Sequence, residues 1–325
     1  MFFNQQFVDF FVHGTPPTAV YHAQKNHIKS LYSIMQYLGY LAFRCVVSLF
    51  SILPFSTLYR LSNGVAWLLF HVIGYRKKVV FNQLRACFPD KSSAEINQIA
   101  RASYLNLSDI MLESVKGFSM TKAEFSERYI FTNPELVHDA TASGGNSIHM
   151  AAHYTNWEWG VISLPLFIKR HIVGIYKPLS NKYIEAYGRK QRGQFGIELV
   201  PIGETSVAFE RLKNTPSAYF FVSDQNTNSD KAHWVTFLNQ DTACPYGGDK
   251  YARLYDYPTY YLDMQRIKRG YYQLTFEKIA DNVGTLPDEE VTRRFMLKLE
   301  KILLFKPENW LWTHKRWKKK RSPQT

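Results

Sequence analysis

Residues 146–167 read NSIHMAAHYTNWEWGVISLPLF. The first seven, Asn146–Ala152, form a short apolar run just after Ser143-Gly144-Gly145, which reads as a mostly buried strand. The last eleven, Trp157–Phe167, read as a helix, and Thr155-x-x-Glu158 at its start fits a capping box. Between strand and helix lie His153 and Asn156, at the kind of strand end where open α/β sheets gather reacting groups.

Outward from this segment the same alternation continues. Ile172–Tyr176, Leu199–Ile202 and Ala218–Ser223 read as strands, with Lys182–Gln194 and Val207–Asn214 as the helices between them. Pro258–Arg266 and Tyr271–Ile279 form a later strand pair around Arg269-Gly270, and Pro287–Leu304 is an amphipathic closing helix. The expected fold class is therefore α/β, a mostly parallel sheet flanked by helices. Upstream, Lys78–Cys87 and Ser92–Lys116 carry helical spacing, the second starting at Ser92 or Ser93 ahead of Glu95.

From Ser30 to Tyr75 the chain is rich in Leu, Val, Ile, Phe and Tyr. Arg44, Arg60 and Arg76 leave two charge-free runs of 15 residues, Cys45–Tyr59 and Leu61–Tyr75. A 15-residue helix is about 22 Å long, short of the roughly 30 Å hydrocarbon core, and Pro54 breaks the first run. A single span from about Leu31 to Leu53 would place Arg44 near mid-membrane, at roughly 2.5–3.5 kcal/mol. An embedded hairpin or re-entrant pair is therefore expected, with one spanning helix as the alternative and a buried helical pair as the plainest reading. Arg76-Lys77-Lys78 then marks the cytoplasmic side. The expected divisions are a loose extension (1–30), a membrane-embedded helical segment (31–75), a helical accessory region (76–140), a catalytic domain (141–314) and a basic tail (315–325). No secretory signal peptide is expected.

Composition narrows the classes. Hydrophobic residues make up 46% of the 325 and charged ones 21%, which excludes a disordered chain. The formal charge is +13; six of those charges lie in 315–321, and removing them leaves +7. Such a chain suits phosphates, anionic lipid, nucleic acid or an acidic protein. Three cysteines in no paired spacing argue against a disulfide framework or a zinc site and for a reducing compartment. GxSxG, GxxxxGK[ST] and GxGxxG are absent, so serine hydrolysis, P-loop chemistry and dinucleotide binding lose ground.

The chemistry is carried by His153 and Glu158. Five residues apart they would diverge on one helix, but with His153 in the loop and Glu158 in the first turn they can converge. A carboxylate on one imidazole nitrogen raises the basicity of the other, as general-base activation of an alcohol requires. The bland readings are a capping Glu158 and a core His153. His149 and His153 stand four apart, yet His149 falls inside the strand and HExxH is absent, so no metal is expected.

HYTNWE (153–158) resembles the HX4(D/E) motif of lysophospholipid acyltransferase-type enzymes, most of all the lipid A biosynthesis (lauroyl/myristoyl) acyltransferases. FNQLRACFPDKS (81–92), IYKP (175–178), YGR (187–189), SDQN (223–226), FLNQDTACPYGG (237–248) and WLWTHKRWK (310–318) follow the family's order. The resemblance runs from about residue 35 to 318 and implies a glycerolphosphate-acyltransferase-like fold. It implies an acyl thioester donor, from acyl carrier protein or CoA, and a phosphorylated lipid A precursor as acceptor. The place implied is the cytoplasmic face of a bacterial inner membrane. No cofactor or metal and no nucleic acid partner is expected. By resemblance His153 is the general base, Glu158 its orienting carboxylate and Arg189 the oxyanion-stabilising group. Asn156, Lys177, Asp224 and Gln225 would bind substrate; Lys177 stands where the family often has arginine. A lysophospholipid or aminoacyl lipid acceptor is the alternative, and a non-catalytic basic membrane adaptor the remote one.

Overall fold

The computed structural model describes residues 18–139 and 145–321. Its first element, α1 (Thr18–Ile52), is one 35-residue helix, so the backbone from Thr18 to Ser30 is helical rather than a loose extension. The first 17 residues of that expected extension lie outside the described residues. Pro54, which cannot donate to a helical hydrogen bond, separates α1 from α2 (Phe55–Trp67), whose end continues as a π-turn, Leu68–Val72.

The apolar region is thus a pair of helices on either side of Pro54, the first much the longer. Leu31–Ile52, 22 residues, is long and apolar enough by length and composition to cross a membrane. Within it the Arg44 guanidinium stands 4.5 Å over the Tyr187 ring and donates to Tyr40 at 3.0 Å.

Next come α3 (Lys77–Cys87) and α4 (Ser93–Gly117). Ser92 and Glu95 form a reciprocal capping box at the start of α4, as the spacing of the pair anticipates. Thr121 and Glu124 repeat the device for α5 (Lys122–Arg128), followed by β1 (Tyr129–Phe131) and α6 (Glu135–Asp139).

The catalytic half then alternates: β2 (Ser147–Ala151), α7 (Trp157–Phe167), β3 (His171–Tyr176), α8 (Lys182–Arg192), β4 (Glu198–Pro201), α9 (Thr205–Leu212), β5 (Ser217–Val222). A hairpin, β6 (His233–Phe237) and β7 (Gln240–Cys244), precedes α10 (Gly247–Leu254); β8 (Thr259–Lys268), β9 (Tyr271–Ala280) and α11 (Glu290–Phe305) close the fold.

Seven strands share one sheet in the order β1-β9-β8-β2-β5-β3-β4, parallel throughout except between β8 and β9. This is the expected α/β class. β2 lies in the middle, and alternate residues feed opposite faces. Ile148 and Met150 join the core under α9, α10 and α11, while Ala151 joins the core with Trp159 and Ile162 of α7. Two covered faces explain why β2 is buried at every position and reads as an unbroken apolar run.

The basic C-terminus is not a free tail where it is described. Arg316 is 1% exposed; its guanidinium donates to the Ala243 carbonyl at 2.6 Å and to Cys244 Sγ at 3.1 Å.

Candidate active site

The turn after β2 is built by strain held in place. Thr155 adopts φ 49°, uncommon for a β-branched residue, and three contacts hold the surrounding turn. Its hydroxyl donates to the Met264 carbonyl (3.2 Å), its N–H to the Asn309 carbonyl (2.9 Å), and the Leu311 N–H donates to the His153 carbonyl (3.2 Å). The segment 309–311 therefore lies along 153–155 like an extra strand, bridged at Tyr154 and Trp310.

Thr155 leaves Asn156, not Thr155, as the N-cap of α7: Asn156 Oδ1 accepts from the Trp159 N–H at 2.9 Å. The expected Thr155–Glu158 capping box does not form, because the left-handed turn sends the Thr155 hydroxyl to β8. Asn156 Nδ2 donates to Glu113 Oε2 at 2.7 Å, and Asn156 is fully buried. With both ends of its amide used by the protein, Asn156 is a structural cap, which corrects its expected place among the substrate contacts. Glu113 also accepts from Tyr272 (2.6 Å) and Tyr59 (2.8 Å), tying α2 and β9 beneath the turn. Burial pushes the Glu113 carboxyl up from its ordinary value, against the pull of Arg266 and the tyrosines.

His153 meets a carboxylate, but from another part of the chain. Its Nδ1 stands 2.7 Å from Asp224 Oδ1, at the end of β5. Asp224 Oδ2 accepts from Trp310 Nε1 at 2.7 Å, and Asp224 is 1% exposed. Burial alone would raise the Asp224 carboxyl; the neighbouring His153 and the hydrogen bonds from His153 and Trp310 override it and hold it below the ordinary value. A carboxylate only accepts, so His153 Nδ1 carries a proton, which in the neutral imidazole leaves the lone pair on Nε2. Among the described residues no partner occupies Nε2, and the ring packs edge-on to Trp157, 4.9 Å between centroids.

Glu158 turns elsewhere. Its two oxygens accept from Arg192 Nε (2.9 Å) and NH2 (3.0 Å), a bidentate pair joining α7 to α8. The sequence placed the Glu158 carboxylate on His153; in the structure the first turn of α7 faces α8, and parallel pairing of β2 with β5 delivers Asp224 to the imidazole instead.

The other expected residues scatter. Arg189, in the last turn of α8, is exposed and makes no ion pair among the described residues; Lys177 is likewise exposed and Gln225 half-buried. His149 stacks inside the sheet between Phe220 (4.6 Å) and Tyr260 (5.2 Å), fully buried, away from the role of a metal ligand. The residues that sequence reasoning missed are Trp310, Arg192 and Glu113. Only Trp310 had a signal, in the WLWTHKRWK segment, and it gave no role.

The chain matches the family described as bacterial lipid A biosynthesis acyltransferase over residues 25–319. It is similar to the lipid A biosynthesis lauroyltransferase of Escherichia coli (strain K12), 21% identical over 272 residues, which cover 82% of this chain and 87% of that protein. With the family model matched over most of its length, the chain belongs to the bacterial lipid A biosynthesis acyltransferase family and is an acyltransferase.

Proposed function

We propose that the protein moves a fatty acyl group from an acyl thioester, on acyl carrier protein or CoA, to a hydroxyl of a phosphorylated lipid A precursor. The observation that carries this reading is the His153–Asp224 contact with Nε2 left open. Nε2 takes the proton from the acceptor hydroxyl as its oxygen attacks the thioester carbonyl. The C–S bond breaks, and the imidazolium returns its proton to the departing thiolate. No covalent acyl-enzyme and no cofactor is required. Asp224 keeps the tautomer and stabilises the imidazolium.

Arg189, exposed and without an acid partner among the described residues, meets the oxyanion, helped by amides at the start of α7; one such donor is worth roughly 10²–10³-fold. Lys177 and Gln225, at the ends of β3 and β5, line the acceptor side. Glu158 acts through Arg192, fixing α8 and with it Arg189. Acceptor and donor meet at the cytoplasmic face of the inner membrane, to which α1 holds the chain.

The test is acyl transfer by the purified protein, with labelled acyl carrier protein or CoA thioester and a set of lipid hydroxyl acceptors. Transfer to a lipid A precursor that disappears in His153→Ala supports the reading. Transfer only to a lysophospholipid would replace the acceptor, and full activity in His153→Ala would remove the base.

A further inference from the structure

No Asp or Glu occurs between Asp9 and Asp90, a stretch that holds eight Lys and Arg. The structure concentrates half of that charge beside an apolar apex. Trp67, Leu68, Val72, Ile73 and Tyr75, on the π-turn and its exit, are all exposed, Val72 at 62% and Ile73 at 58%. Five cations follow at once in space: Arg76 at the N-cap of α3, Lys77, Lys78 and Arg85 on α3, and Arg101 on α4. None has an acid in ion-pair reach among the described residues. Aromatic rings lie beside four of them, all but Lys78. Lys77 Nζ is 4.1 Å and Arg101 5.6 Å from the Phe70 ring, and Arg85 is 5.4 Å from Phe81. Arg76, Lys77, Lys78, Phe81, Asn82 and Arg85 line an open cleft of about 590 Å³.

We propose that this apex and its cationic collar are a second membrane contact, separate from α1. Residues 67–75 enter the lipid, and the collar takes the phosphates of anionic headgroups. The order is that of an interfacial anchor: apolar tip, Trp and Tyr at the boundary, Lys and Arg at headgroup level. An acidic protein would match the charge but would leave Val72 and Ile73 in water; a lipid surface satisfies both halves.

The two contacts are held apart by α4. Lys116 Nζ caps the end of α1 at the Ser51 (2.7 Å) and Leu53 (3.0 Å) carbonyls, while Tyr104 donates to the Tyr75 carbonyl at 2.5 Å. Twelve helical residues set them about 18 Å apart. The collar also reaches the C-terminal segment: Arg76 donates to the Thr313 carbonyl at 3.0 Å, next to His314, whose Nε2 accepts the N–H of Asn226, two residues from Asp224. On the reading of the acceptor as a lipid, two-point docking fixes the mouth of the site at the bilayer surface rather than letting it swing on α1.

The full-length protein tests this with a fluorescent label at Ile73→Cys in a Cys45→Ser background, since Cys87 and Cys244 are buried. It is reconstituted into vesicles of phosphatidylcholine with or without phosphatidylglycerol. With phosphatidylglycerol the label should be shielded from an aqueous quencher. Adding Lys78→Glu and Arg85→Glu should restore quenching several-fold while the protein stays vesicle-bound through α1. Full quenching of the label in the parent on anionic vesicles overturns the proposal. So does unchanged shielding in the charge-reversed variant, including the case where transfer from acyl carrier protein alone is lost, which would make the collar a protein dock. A shielded label in a protein that transfers no acyl group would leave the membrane contact standing and remove the function.

Discussion

The indole nitrogen of Trp310 stands 2.7 Å from the Asp224 oxygen that His153 does not use. One carboxylate is thereby held at both oxygens, by a residue 86 positions away and by the imidazole it orients. Packing fixes the donor in turn, since Trp310 stacks edge-on to Trp312 at 4.8 Å. Trp310→Phe keeps the ring and deletes the N–H. We expect kcat to fall on the order of tenfold with KM little changed, because a hydrogen bond to a charged group is worth about 1.5–3 kcal/mol. A pH–rate profile should show the acidic limb displaced, since that limb reports protonation of the base, and a profile and kcat equal to those of the parent would leave Trp310 with packing alone.

Asp224 holds the imidazole and Glu158 pairs with Arg192, and paired amides separate the two roles. Asp224→Asn should lower turnover by about 10²–10⁴-fold with the fold intact. Glu158→Gln removes the charge facing Arg192 and should cost about 1–3 kcal/mol of stability, with turnover reduced less than tenfold. Chemical denaturation and single-turnover kinetics on both variants decide. If Glu158→Gln loses as much turnover as Asp224→Asn at unchanged stability, Glu158 touches the reaction.

Two arginines one helical turn apart on α8 should behave differently. Arg189→Ala is expected to lose about 10²-fold in kcat without a change in melting temperature, and Arg189→Lys to recover only part. Arg192→Ala should lower the melting temperature, because it strands the Glu158 carboxylate. A loss in Arg189→Ala confined to acceptor KM would make it a headgroup contact.

Burial lowers His149 to about 3 and His314 to about 4, each below the ordinary 6.5. Both are therefore neutral when folded and bind a proton more readily when unfolded. Their contribution is complete above pH 6.5 and falls as pH drops toward 3–4. For the fully buried His149 the slope is about 1.4 kcal/mol per pH unit. His149→Phe, keeping the stack on Phe220 and Tyr260, should flatten the urea midpoint between pH 6.5 and 4. An unchanged slope would assign acid sensitivity to other groups.

Arg316 is expected to be structural despite its place in a run of cations. Arg316→Ala leaves the Ala243 carbonyl and Cys244 Sγ without their guanidinium donors and should lower the melting temperature clearly, whereas Lys320→Ala should not. Equal, small effects would return the segment to a solvated tail.

Much of the architecture was legible in local pattern. β2 reads as a strand because both faces are covered, and α7 begins and ends at Trp157 and Phe167 as its apolar run implies. Ser92 and Glu95 announce α4 because a capping box is local chemistry. The β6–β7 hairpin was missed because its turn places Leu238 and Asn239 at positive φ, and leucine carries no turn signal.

The sequence by itself determined the sheet class, the family and the place of His153 at a strand end, since periodicity, ordered motifs and residue chemistry are properties of neighbours in the chain. Which carboxylate reaches that histidine was a tertiary decision. Glu158 is five residues away but points to α8; Asp224 is 71 residues away and arrives because β5 lies parallel to β2. Trp310 reaches it only because the C-terminal segment lies along the strained turn at Thr155. Side-chain direction at a strand end depends on which strands pair, and pairing is fixed by the whole core rather than by any local stretch.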